Sequence, residues 1–272
     1  MERLAGDPAS GVVVICDHAS NAIPEDLRSL GLPPAQLERH IAYDIGAAEV
    51  TRTLARALGA PAVLSTFSRL VIDPNRGQDD PTLVMKLSDG AVVPGNAAAD
   101  DAEVERRLAR FYRPYDRAVG EAVAAGLAAG VPPVLVSIHS FTPFWKGVPR
   151  PWHVAVLWDS DPRLPVPLMR ALEAEGDLVV GDNEPYDGAL AGDTVYRHAT
   201  VLGLSNALIE IRQDLIGNDG DARGWGGRLA RVLGPLLADP AQHTIARHPT
   251  RTTSRHRLPF GEKAPAGSPE RR

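Results

Sequence analysis

The sequence predicts an α/β fold with a largely parallel sheet. Three observations carry this. Short runs rich in β-branched residues alternate with longer helical stretches along most of the 272 residues. The short runs are continuously apolar, as strands buried on both faces are, with no polar alternation. Polar clusters such as Asp17-His18-Ala19-Ser20-Asn21 and His139-Ser140 follow the runs directly, and parallel sheets present their ligands at the C-terminal ends of strands.

Residues 11–16 (GVVVIC) read as the first buried strand. Residues 24–30 read as a short helix closed by Gly31. Residues 34–58 read as one long helix, because Leu37, Ile41, Ile45, Ala48 and Ala55 recur mostly at three- and four-residue steps, and Gly59 is a suitable stop. Residues 62–67 are a second strand and 73–76 a turn. Residues 77–101, with Pro81, Gly90, Pro94 and Gly95, read as a long irregular loop. A second long helix covers 102–128, and a third strand covers 131–138. Residues 141–151 are an aromatic, Gly- and Pro-rich loop. Strand 153–158, helix 162–175 and strand 178–181 follow. Then come a loop at 183–192, a helix near 193–202, strand 206–212 (NALIEIR) and a helix within 218–237. Residues 243–272 are basic, proline-bearing and aperiodic, and are expected to form a disordered tail after a folded domain at 1–242.

Composition narrows the function. Lys plus Arg is 29 and Asp plus Glu is 34, a net charge of −5, so the chain lacks the basic footprint of a nucleic-acid binder. No apolar run approaches the 18 residues or so of a membrane span. The first residues do not read as a signal peptide. One cysteine, Cys16, excludes an internal disulfide framework and fits a reducing cytoplasm.

Two of the eight histidines, His18 and His139, each follow a β-branched strand and open a polar loop. Strand capping is the plainer role for either alone. Their shared placement brings forward a second role, convergence on one zinc ion. A catalytic zinc site usually has three protein ligands. The candidates for the third are Asp17, Asp44 and Glu210, of which Asp17 should point away from His18 if the strand pattern continues. Asp44 follows His40 by four residues, so on a helix the two share a face. Its structural alternative is an ion pair with Arg28 or Arg39. Glu210 lies inside an apolar strand, where a carboxylate is either paired, here with Arg212, or functional as a general base. Arg69, Arg76, Arg150 and Arg212 lie beside polar turns at strand ends, and guanidinium forks suit a small acid.

Seven segments together resemble the N-formylglutamate amidohydrolase family. They are Cys16–Asn21, His40–Ala47, Ser68–Arg76, Ser137–Phe141, Arg150–His153, Gly181–Tyr186 and Ile209–Asp214. The resemblance runs from about residue 11 to about residue 240. It implies a zinc carboxypeptidase-like fold, a mixed, mostly parallel sheet between helices. By position it implies His18 and His139 as metal ligands and Glu210 as base. It implies Asn75-Arg76 as the pair that binds a substrate carboxylate, and Arg69 as the group that polarises the scissile carbonyl. Related enzymes carry a glutamate three residues after the first histidine. Here that residue is Asn21, so the third ligand is expected to be Asp44.

The resulting expectation is a zinc-dependent hydrolase of a small acidic N-acyl amino acid, foremost N-formyl-L-glutamate, giving L-glutamate and formate. Zinc on His18, Asp44 and His139 would lower the pKa of a bound water toward about 7. Arg76, with Arg150 or Arg212, would hold the substrate carboxylates. Specificity would lie with loops 77–101 and 141–152. Another N-acyl amino acid or a peptide terminus remains open as substrate. A non-catalytic small-acid binding protein on the same scaffold is the reading that Asn21 favours.

Overall fold

The computed structural model describes residues 1–251. Its strands are β1 (Glu2–Leu4), β2 (Val12–Cys16), β3 (Ala62–Leu64), β4 (Leu87–Ser88), β5 (Ala91–Val92), β6 (Val134–Phe141), β7 (Phe144–Trp145), β8 (Val148–Pro149), β9 (Val154–Leu157), β10 (Val180–Asp182) and β11 (Asn206–Arg212). Its helices are α1 (Pro34–Leu37), α2 (Ala47–Leu58), α3 (Pro94–Ala97), α4 (Asp101–Arg107), α5 (Arg113–Ala128), α6 (Pro165–Glu173), α7 (Thr194–His198) and α8 (Asp219–Leu237).

Seven strands form one mixed sheet in the order β1-β3-β2-β6-β11-β9-β10. Neighbours are parallel except β1 beside β3 at the edge, and β9 beside β11. All five residues of β2 and all eight of β6 are buried, because both faces of the sheet are covered. Val12, Val14 and Cys16 pack with α2, α6 and α8, whereas Val13 and Ile15 pack with α5 and α7. This two-sided burial produces the unbroken apolar runs in the sequence.

The expected helix at 34–58 is interrupted. Only α1 and α2 are helical, and residues 38–46 form a loop. Besides the turn bond from Ala42 N–H to the Arg39 carbonyl, backbone groups of that loop bond to other segments. Asp44 N–H donates to the His18 carbonyl (3.0 Å), and the Ala42 carbonyl accepts from Arg69 N–H and Ser68 Oγ. Gly46 has φ +80°, and a Cβ there would lie 2.2 Å from the Ile216 carbonyl oxygen. A left-handed residue pressed on a neighbouring backbone admits only glycine. Gly46 therefore fixes where α2 begins and where Asp44 ends up.

Smaller differences are local. Residues 25–31 form a 3-10 turn, with Arg28, Ser29 and Leu30 at positive φ. The two expected loops each contain a hairpin, β4–β5 and β7–β8. A π-helical turn joins α4 to α5. The start of the expected tail is docked on the body: His243 bonds the Pro132 and Leu237 carbonyls, Ala246 N–H bonds Gly203, and Arg251 N–H bonds Asp159. The rest of that expectation, 252–272, lies outside the described residues. Among the described residues, no helix is long and apolar enough to cross a membrane.

Candidate active site

β2 and β6 lie side by side and parallel, so the residues just past Cys16 and those closing β6 meet at one edge of the sheet. There the His18 and His139 rings stand nearly perpendicular, with centroids 4.9 Å apart. Asp44 rises from the 38–46 loop between them. One of its carboxylate oxygens is 3.2 Å from His18 Nδ1 and 2.8 Å from His139 Nδ1. Ligating atoms of these three buried residues all lie within 4.8 Å of one another, so the group could hold a metal ion.

The far side of each ring is also fixed. His18 Nε2 lies 2.8 Å from Asp73, and His139 Nε2 lies 3.1 Å from Asp17. Each imidazole thus faces two carboxylates, but a neutral ring supplies only one N–H. With the Nε2–H donated outward, both Nδ1 lone pairs and the Asp44 oxygen converge on one point. Three lone-pair donors of this type, with each histidine oriented by an outer carboxylate, match a divalent-metal site. The donor set fits the expected ion.

Charge is balanced within the cluster. Burial would raise the Asp44 carboxyl, but His18 and His139 hold it far below the usual carboxylate range. Burial would likewise lower His139, but its bonds to Asp17 and Asp44 hold it well above an ordinary histidine. Asp73 is kept well below its usual value by Arg69 and His18, against its own burial.

A cavity of about 360 Å³ opens onto this group. His18, Asp44, His139, Arg69, Asn75, Arg76 and Glu210 all line it. Glu210 is buried in β11, and its Oε2 has no hydrogen-bond partner among the described residues. Burial, with Asp44 nearby, pushes its carboxyl up to about 7 against the pull of His139. Arg69 is bonded to Asp73 (2.7 Å) and lies 3.6 Å from Asp44.

With this geometry defined, comparison with known proteins decides the family. A sequence model of the N-formylglutamate amidohydrolase family matches residues 10–217. The chain belongs to that family. It is similar to a solved gene product of Agrobacterium tumefaciens, with 38% identity and a TM-score of 0.80, over 86% of this chain and 91% of the other. It is also similar to the solved N-formylglutamate amidohydrolase of Ralstonia eutropha JMP134, with 26% identity and a TM-score of 0.57, over 84% and 91% of the two chains. Both support the mixed α/β sheet. A search of curated proteins found no match.

In this N-formylglutamate amidohydrolase family member, two residues expected to contact substrate lie apart from the cavity lining. Neither Arg150 nor Arg212 lines the cavity. Arg212 is turned outward, paired with Asp214 (2.8 Å) and bonded to the carbonyls of Arg150 and Trp152. It does not pair with Glu210. Arg150 stands behind the cavity wall, with its guanidinium 5.2 Å from the Tyr186 ring and 3.2 Å from the Tyr186 hydroxyl, and it also bonds Thr142. Asn21 bonds the Leu37 carbonyl and Glu38 and is not a lining residue. Arg39 pairs with Asp89, not Asp44.

Asp73 meets His18 and Tyr186 lines the cavity, placements that the residue pattern did not reveal. Asp73 read only as a turn residue, since nothing local announces that it meets His18. Asp17 does point away from His18, as its place in the strand implied. It ends under His139, where it also bonds Tyr115, Ser137 and Thr194.

Proposed function

We propose that this chain is a metal-dependent amidohydrolase that removes a small acyl group from an N-acyl amino acid. N-formyl-L-glutamate is the substrate that the family description and the Ralstonia relative's name point to. The observation that carries this reading is the convergence of His18, Asp44 and His139 in one cavity with Glu210, whose Oε2 has no hydrogen-bond partner among the described residues. The catalytic unit is residues 1–242, which contain every group invoked below.

His18, Asp44 and His139 would hold one divalent ion, zinc by the preference of imidazole and carboxylate donors. Such an ion supplies Lewis acidity toward water and toward a carbonyl oxygen. Asp17 and Asp73 hold the two imidazoles in the tautomer that leaves Nδ1 free. Glu210 takes the proton of the attacking water and returns it to the leaving nitrogen, a role suited to a carboxyl poised near neutrality. Arg69, kept cationic and immobile by Asp73, faces the oxyanion that develops on the acyl carbon. Arg76 and Asn75 bind the substrate carboxylate. The Asn75 side-chain oxygen already accepts from Thr194 N–H (3.1 Å), so its amide NH2 is the end left to donate.

The deciding experiment measures metal content and formate release together, across a panel of N-formyl amino acids that includes glutamate. Turnover that a chelator abolishes and zinc restores supports the proposal. Stoichiometric zinc with no turnover of any N-acyl amino acid removes it.

A further inference from the structure

We infer that the side-chain subsite of this cavity accepts an uncharged group, so the preferred substrate is an N-acyl amino acid bearing one carboxylate and not two. The inference rests on the amidohydrolase reading above and replaces N-formyl-L-glutamate with a monocarboxylate as the preferred substrate.

The cavity's charged groups leave one carboxylate anchor. Among the cations, Arg69 is already shared between Asp73 and Asp44. His40 sits 3.5 Å from Asp89 and is half-buried, which lowers its pKa. Arg76 bonds only the Asn75 carbonyl and Thr82, and has no ion-pair partner among the described residues. The other charged lining groups, Asp44, Glu210, Asp187 and Asp193, are all acids. A dicarboxylate would use Arg76 once and find no second unshared guanidinium among the described residues, because Arg69 is already paired and neither Arg150 nor Arg212 lines the cavity.

Part of the cavity wall is apolar. Leu208 precedes Glu210 by two residues on β11, so it shares the cavity face of the sheet, and Leu157 is its direct cross-strand partner. Both are lining residues, as is Leu190 from the neighbouring loop. That loop is seated firmly on the end of β9. Asn183 Oδ1 accepts from Trp158 N–H (3.0 Å) and Gly188 N–H (2.9 Å), and a Cβ on Gly188 would lie 2.2 Å from Trp158 N. Leu190 begins the turn whose end, Thr194, donates to Asn75. The leucine wall and the carboxylate anchor are therefore joined by one short turn. A second carboxylate placed against this wall would lose water and gain no partner, which is strongly unfavourable.

The test compares kcat/KM for N-formyl-L-glutamate with that for its neutral isostere N-formyl-L-glutamine, with N-formyl-L-leucine as an apolar reference, on zinc-loaded enzyme. Glutamine and leucine are expected to exceed glutamate by at least about tenfold, the effect expected of an unpaired charge at a desolvated site. In Leu190→Arg, a change at a partly exposed loop position, the ratio should shift toward glutamate by a similar factor. Glutamate equal to or better than glutamine in the wild type overturns the inference and leaves the amidohydrolase reading standing. A selectivity ratio unmoved by Leu190→Arg overturns the placement of the subsite. Failure of all three substrates overturns the amidohydrolase reading and this inference with it.

Discussion

Glu210 and His139 are register partners on adjacent parallel strands, so their side chains leave the sheet on the same face. Sheet register, not loop conformation, brings the proposed base beside a proposed metal ligand. Glu210→Gln preserves shape and removes the basic oxygen. The expected result is a fall in kcat of roughly 10² to 10⁴, the usual worth of a general base, with zinc content unchanged. Metal analysis and steady-state rates on the same preparation check it. An unaltered rate would take Glu210 out of the mechanism.

His18 and His139 should behave differently from the carboxylates behind them. His18→Ala or His139→Ala removes a direct ligand, so both bound zinc and turnover should be lost. Asp44→Asn should also reduce metal content. Asp73→Asn keeps the turn but weakens the hold on the His18 Nε2–H. Its expected cost is about 10- to 100-fold in metal affinity, the range for outer-shell partners. Competition with a chelator of known affinity measures each. A zinc-replete, fully active His18→Ala protein would refute the assignment.

The parts of this site that local sequence revealed are those fixed by two-sided burial. Strands β2, β6 and β11 announce themselves because both faces are covered, and His18, His139 and Glu210 inherit their positions from those strands. The 38–46 segment misleads for the opposite reason. Its Ile41 and Ala42 keep a helical spacing with their neighbours, but they pack into a separate small cluster with Leu30, Leu32, Leu70 and Val93. Burial there is satisfied by tertiary contact without a helix. Arg212 misleads because strand alternation sets it on the face of Glu210, yet at the strand end its guanidinium turns to nearby carbonyls and Asp214. Asp73 is silent because its partner His18 is 55 residues away.

Arg76 and Arg212 give a direct contrast. Arg76→Gln removes the cation proposed to hold substrate in both ground and transition states. KM should rise by about 10- to 100-fold with kcat little changed, as expected for loss of a charged hydrogen bond in uniform binding. Arg212→Gln breaks an outward ion pair and should leave both constants near wild type. Steady-state kinetics on the preferred substrate distinguish the two. Equal KM effects would mean that Arg212 reaches the ligand after all.

Asp193 predicts a pH-dependent gain in stability. It caps α7 by accepting from Tyr196 N–H at 2.6 Å, and it lies buried on the cavity wall. Burial pushes its carboxyl up to about 7 from an ordinary 3.8, more than the cap bond and Arg197 pull it down. Between those two values the folded protein holds the proton more tightly than the unfolded chain does. This group's contribution to stability therefore falls as pH rises through that window, and the full penalty persists above it. Asn can make the same cap bond without ionising. Asp193→Asn should then melt at a higher temperature than wild type at pH 8, by several degrees, given roughly 2–4 °C per kcal/mol for a chain of this size. Near pH 4 the two should melt together. Thermal denaturation of the pair across that range checks the sign. A larger advantage for the variant at low pH than at high pH would show that the Asp193 carboxyl is ionised at little cost in the fold.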